Sequence, residues 1–221
     1  MAEQIAYNMD CLEAMRAMPD NAFDLAVVDP PYGGVGKGGY MHNQSSGGVA
    51  KHPNYHTALW QQEKPTGEYF AELFRVSENQ VIWGGNYYTT LIGKDTQCWV
   101  VWDKQKADGL LFADFEIAWT SFDRASRMFR FMWNGMLQGD MKNKENKIHP
   151  TQKPVALYAW LYSTFAKPGD KILDTHLGSG SSRIAAYDAG LDFAGYEIDK
   201  TYFDLQEERF RKHTAQYSLF V

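Results

Sequence analysis

The sequence predicts an α/β protein built on a doubly wound, mostly parallel sheet, and three observations carry that expectation. Short apolar strands alternate with helical segments along the chain. One strand, Phe23–Val28, runs directly into the turn Asp29-Pro30-Pro31-Tyr32. A later strand, over 171–173, runs into Asp174-Thr175-His176-Leu177-Gly178-Ser179-Gly180-Ser181-Ser182, a glycine-rich turn that opens a helix. In open α/β sheets ligands bind at the carboxyl ends of strands, so both turns are candidate functional sites.

The elements follow in order. Gln4–Tyr7 reads as a strand, 12–18 as a short helix with Leu12, Met15 and Met18 on one side, and Phe23–Val28 as a buried strand. Residues 33–57 are glycine-rich and form a flexible loop, of the length that serves as a lid or binding loop. An amphipathic helix is expected over 68–76, then strands over 80–83 and 98–102. Residues 115–121 and 127–133 read as two strands around a polar turn, an antiparallel hairpin whose arginines alternate with aromatics. That alternation suits either a nucleic-acid surface or a solvated charged edge. An apolar helix spans Val155–Phe165. The 171–173 strand, a helix through 189, a strand over 193–196 ending at Glu197, and a charged helix over 201–213 complete the chain.

At 221 residues the chain suits one domain with a full core. Hydrophobic residues make up 44% of it, which argues against disorder. Cys11 and Cys98 lie far apart without metal-ligand spacing, so a reducing, cytoplasmic setting is expected rather than a disulfide framework. No signal pattern and no apolar run of membrane-spanning length is seen, so no membrane partner is expected. The net charge is −5. Between 121 and 153, seven basic residues face three acidic ones, a local +4 that leaves −9 elsewhere and permits a confined nucleic-acid face.

The chemistry begins at the first turn. Asp29 and the Pro30 carbonyl are two acceptors beside the ring of Tyr32, a set suited to a planar molecule with an amino group, such as a nucleobase. Asp, Pro and Gly are also ordinary turn residues. In the second turn, glycines let a ligand approach the backbone and leave helix N–H groups free. A triphosphate loop would carry Lys-Ser/Thr after the last glycine; Ser181-Ser182 stands there instead. Glu197, at the end of the next strand, is placed to bond ribose hydroxyls. A nucleoside held without a phosphate lysine fits this half, and a nicotinamide dinucleotide, weakened by the missing third glycine, stays open. His42, His52 and His56 have no carboxylate or cysteine at recognisable spacing, so no metal is expected.

These pieces, in this order, resemble the amino-methyltransferases that modify exocyclic nitrogens of DNA bases. Asp29-Pro30-Pro31-Tyr32 matches the catalytic motif, the 174–180 turn the cofactor loop, Glu197 the ribose ligand, and Asp10-Cys11-Leu12 the adenine-binding turn. His149-Pro150-Thr151-Gln152-Lys153-Pro154 matches the segment preceding the cofactor strand. The catalytic motif precedes the cofactor loop, as in the circularly permuted group called beta. One departure is Asp174-Thr175-His176-Leu177, where the family usually has Asp-Pro-Phe.

The resemblance implies a single Rossmann-like methyltransferase domain over 1–221, with a mostly parallel seven-stranded sheet and S-adenosyl-L-methionine as cofactor. It assigns catalysis to Asp29, Pro30, Pro31 and Tyr32. The cofactor would be bound by Asp10, Cys11, Asp29, His149, Thr151, Gln152, Lys153, Asp174, His176, Gly178, Ser179, Gly180, Ser181, Glu197 and Ile198. Asp in first position resembles the adenine-N6 branch acting on DNA; cytosine-N4 and RNA-adenine methylation are the alternatives. A non-catalytic nucleic-acid-binding module of this fold would be expected to lose the residues that are present. Target recognition is expected over 104–147, with Arg124, Arg127, Arg130, Lys142 and Lys144 on phosphates. So short a region favours a relaxed target sequence and is compatible with a homodimer. In the tail, 215–221, Gln216-Tyr217-Ser218-Leu219-Phe220 resembles the peptide by which bacterial replication proteins dock on the sliding clamp; a tail folded back on its own domain is the other reading.

Overall fold

The computed structural model describes residues 2–33, 64–106, 113–134 and 137–217. Most of the 33–57 loop with its three histidines, and the tail from 218, lie outside the described residues.

The first half alternates as the sequence predicts. Strand β1 (Gln4–Tyr7) leads to helix α1 (Cys11–Arg16), whose first turn is capped by the Asp10 carboxylate accepting from the Leu12 and Glu13 N–H groups. Strand β2 (Phe23–Val28) is an apolar run with both faces covered. Helix α2 (Gly67–Val76) starts at a Thr66 cap and buries Tyr69, Phe70, Leu73 and Val76, one face of a 3.6-residue period. It flows into β3 (Ser77–Trp83), followed by a 3₁₀ turn over Gly85–Tyr87 and a one-turn helix α3 (Thr89–Ile92).

Strands β4 (Val100–Asp103), β5 (Phe115–Thr120) and β6 (Arg127–Arg130) come next, then the two-residue strands β7 (Trp133–Asn134) and β8 (Leu137–Gln138). Helix α4 (Val155–Phe165), β9 (Lys171–Asp174), α5 (Ser181–Asp188), β10 (Asp192–Tyr196) and α6 (Lys200–Tyr217) complete the chain. No helix among the described residues is long and apolar enough to cross a membrane.

The main sheet among the described residues has eight strands in the order β1-β10-β9-β2-β3-β5-β4-β6, one more than expected. From β1 to β3 every pairing is parallel; β5 then runs antiparallel to both β3 and β4. The expected hairpin of 115–121 with 127–133 does not form. β4 lies between β5 and β6, and β6 joins the sheet parallel to β4, supplying the eighth strand. The small antiparallel pair is β7 with β8 instead. The 104–147 region therefore contributes two strands to the main sheet as well as this separate ribbon.

Both sheet faces are covered. Leu25 and Val27 of β2 pack with α4 and α5 through Leu157, Leu161, Ala185 and Ala186. Ala26 and Val28 pack with α1, α2 and α3 through Met15, Phe70, Leu73 and Ile92. The chain leaves β2 through α2 toward β3 and leaves β9 through α5 toward β10, in opposite directions along the sheet. β2 and β9 are neighbours, so the crevice at their carboxyl ends is the topological switch point.

Candidate active site

Four strand ends meet along this edge. β1 delivers Asp10 and Cys11, β10 delivers Glu197, β9 delivers the 174–180 turn, and β2 delivers Asp29. Residues separated by most of the chain length thus line one crevice.

At the β2 end, the Tyr32 hydroxyl donates to Asp29 Oδ1 at 2.6 Å. The Lys153 ammonium donates to Asp29 Oδ2 and also lies 3.1 Å from Glu116 Oε2. Lys104 pairs with Glu116 Oε1 at 2.5 Å. The result is a row of alternating charges, Lys104, Glu116, Lys153 and Asp29, drawn from β4, β5, the segment before α4, and β2. Burial alone would raise the Glu116 carboxyl, but Lys153 and Lys104 hold it at about 2. Burial likewise disfavours the Lys153 ammonium, yet Asp29 and Glu116 keep its pKa above the usual lysine range.

The Tyr88 hydroxyl reaches the carbonyls of Pro30 (2.8 Å) and Pro31 (2.7 Å), clamping the turn that the two prolines stiffen. The Tyr32 ring stands 5.0 Å from that of Tyr87 and edge-on to Tyr88. Gly84, at φ +66°, faces the Tyr32 ring, where a β-carbon would come within 2.3 Å of Cε1.

At the β9 end, Asp174 is buried, accepting from the Ser182 hydroxyl and, at 3.0 Å, from the His176 N–H. Burial outweighs these bonds and pushes its carboxyl up to about 7. Thr175 links the His176 ring (2.9 Å) to the Tyr69 hydroxyl (2.7 Å). Gly178 and Gly180 take left-handed conformations, at φ +52° and +71°, that a side chain would strain. Glu197 spans the turn, accepting from Gly178 N–H (2.9 Å) and Asp199 N–H (2.8 Å). Each of its oxygens keeps a second lone pair for a ligand hydroxyl. The exposed Ile198 follows it as an apolar flank. Burial pushes the Cys11 thiol to about 12, so it is neutral and unreactive at neutral pH.

The 149–154 segment divides. His149 packs on Tyr202, 4.3 Å between centroids, and against Gly178; burial, with Lys153 adding, lowers it to about 4. Thr151 bonds the His149 ring at 3.1 Å. The Gln152 side chain turns away, accepting from Ile148 N–H and reaching the Asn146 carbonyl, so it shapes the preceding loop. Lys153 reaches the Asp29 end, not the glycine turn. Arg209 of α6 ties Ser179 O (2.8 Å) and Ser181 Oγ (2.9 Å) to Glu145 (2.6 Å), and the Ser179 and Ser181 hydroxyls meet at 3.1 Å.

Of the basic candidates, Arg127, Arg130, Lys142 and Lys144 are exposed. Arg124 differs: it donates to Thr164 O at 2.7 Å and stacks on Phe165 at the end of α4. Sequence reasoning passed over Gly84, Tyr88, Glu116 and Arg209. The Gly84-Gly85 pair at a strand end and the lone acid inside the apolar strand at Glu116 were the available signals; Tyr88 and Arg209 carried none.

Residues 95–208, from just before β4 into α6, match the family model described as DNA methylase, of the N6 and N4 methyltransferases. The chain is 26% identical over 233 residues to the type II methyltransferase M.HpaI of Haemophilus parainfluenzae, covering 90% of this chain and 72% of that protein. To M.HinfI of Haemophilus influenzae it is 24% identical, covering 92% and 67%. Among solved structures, M1.HpyAVI in complex with SAM superposes with a TM-score of 0.59 at 20% identity, covering 95% of this chain and all of that one. The cytosine-N4-specific PvuII DNA methyltransferase gives 0.61 at 12%, covering 99% and 93%. A family match spanning more than half of the chain identifies it as a member of the N6/N4 DNA methylase family.

Proposed function

We propose that the protein transfers a methyl group from S-adenosyl-L-methionine to the N6 amino group of adenine in DNA. The observation that carries this reading is the Asp29 carboxylate, tied to Tyr32 and Lys153, at the carboxyl end of β2 beside the glycine turn of β9. Asp in first position of the motif favours adenine N6 over cytosine N4.

The cofactor end suits a cationic nucleoside. Glu197 and Asp10 supply acceptors, left-handed glycines open the backbone, and no lysine of a phosphate loop is present. Asp10, Cys11, His149, Thr151, Asp174, His176, Gly178, Ser179, Gly180, Ser181, Glu197 and Ile198 would line it. The cofactor supplies a methyl group on a sulfonium that loses its charge as the methyl leaves, a change that a dry site favours.

The protein's own part is orientation. An amino group conjugated with the adenine ring is a poor nucleophile because its lone pair is delocalised. Asp29 and the Pro30 carbonyl would accept its two N–H groups, favouring a tetrahedral nitrogen with the pair localised toward the methyl. Tyr32, backed by Tyr87, would stack on the base once it has left the helix. Alignment of this kind supplies much of the rate, with no covalent intermediate. Arg127, Arg130, Lys142 and Lys144 would meet the phosphates.

The deciding experiment is transfer of labelled methyl to mixed-sequence double-stranded DNA, single-stranded DNA and RNA, followed by nucleoside chromatography. N6-methyladenine in DNA is expected. N4-methylcytosine would overturn the base assignment, and label confined to RNA the substrate assignment.

A further inference from the structure

We propose that Lys153 is a positioning residue whose ammonium, wedged between Asp29 and Glu116, holds the Asp29 carboxylate turned toward the target amine. The inference rests on Asp29 as the acceptor of that amine and gives Lys153 a task distinct from cofactor binding.

Its side chain is 4% exposed and ends between two carboxylates, with the Trp83 ring 5.4 Å away. An ammonium so enclosed cannot reach the glycine turn without abandoning both acids. Glu116 sits on a paired strand and has Lys104 on its other oxygen, so it is a rigid anchor for Lys153. The geometry at Asp29 completes the argument. Oδ1 takes the Tyr32 hydroxyl and Oδ2 takes Lys153, so the carboxylate is held from both sides. A carboxylate has about four acceptor sites, and one on each oxygen stays open for an N–H.

Among the described residues, Lys153 is the cation in contact with Asp29. Without it the carboxylate keeps the Tyr32 hydroxyl alone of these two contacts and is free to turn away from the amine.

The test compares the wild type with Lys153→Met, Lys153→Arg and Glu116→Gln on mixed-sequence duplex DNA. It reads kcat and KM separately, and cofactor affinity by calorimetry. Lys153→Met should lower kcat at least about tenfold while KM for DNA stays within about threefold of wild type. Cofactor affinity should change less than about threefold, and Lys153→Arg should recover part of the lost kcat. An unchanged kcat overturns the proposal, as does a loss confined to cofactor affinity. Should Lys153→Met fail to fold, Glu116→Gln decides. With its anchor weakened, Lys153 holds Asp29 less firmly, so kcat should fall while cofactor affinity is kept; an unchanged kcat overturns the proposal. A wild type that methylates adenine or cytosine while the variants behave otherwise sinks this inference alone. A wild type that methylates no base sinks the functional reading together with it.

Discussion

Gly84 and Tyr32 are in such close apposition that no larger residue fits between them. A β-carbon on Gly84 would lie 2.3 Å from Cε1 and 2.7 Å from Cζ of the Tyr32 ring, and the Gly84 backbone sits at φ +66°. Gly84 directly follows β3, the neighbour of β2, so Tyr32 at one strand end is seated on the backbone of the next. Gly84→Ala must therefore shift Tyr32 and also adopt a left-handed conformation costing roughly 1–2 kcal/mol. Methyl transfer should fall at least about tenfold while cofactor affinity, read by calorimetry, stays near wild type.

Asp29→Ala removes the proposed acceptor of the amine and leaves Lys153 with Glu116 as its partner. Transfer should be abolished in the labelled-methyl assay, while cofactor binding is largely preserved. Sustained activity would show that Asp29 does not hold the acceptor.

Asp174 makes stability depend on pH. Its carboxyl is at about 7 in the folded chain, against about 3.9 when unfolded. Between those values the native state binds more protons, so this group's contribution to stability falls as pH rises from about 4 to about 7 and is level above. Glu116, at about 2, acts oppositely: its contribution is present above about 4.3 and is lost as pH falls toward 2. Asp174→Asn should raise the thermal midpoint relative to wild type more at pH 8 than at pH 5, by scanning calorimetry. An equal difference at both values would refute the assignment.

The basic residues separate by what their charges touch. Neutralising Arg127, Arg130, Lys142 or Lys144, all exposed, should reduce the slope of log affinity for DNA against log salt by roughly one per phosphate contact. Arg124→Ala should leave that slope unchanged and instead destabilise the fold by about 1 kcal/mol, because its guanidinium holds Thr164 O at the end of α4. Binding at several salt concentrations, with a melting curve for each variant, checks both.

What the sequence by itself determined is the set of strand ends and what each carries. Apolar runs closed by Pro and Gly are local signals: Phe23–Val28 into Asp29-Pro30-Pro31-Tyr32 and β9 into the 174–180 turn required only near neighbours to be read. The tertiary structure alone decided which strand lies beside which. Pairing is set by contacts distant in sequence, so β4 could enter between β5 and β6 and replace the hairpin that their spacing suggested. The same distance hid the pairing of Lys153 with Asp29, 124 positions apart, and the Gly84 approach to Tyr32. A residue's type limits what it can do, and only the packing of the sheet determines which partner it meets.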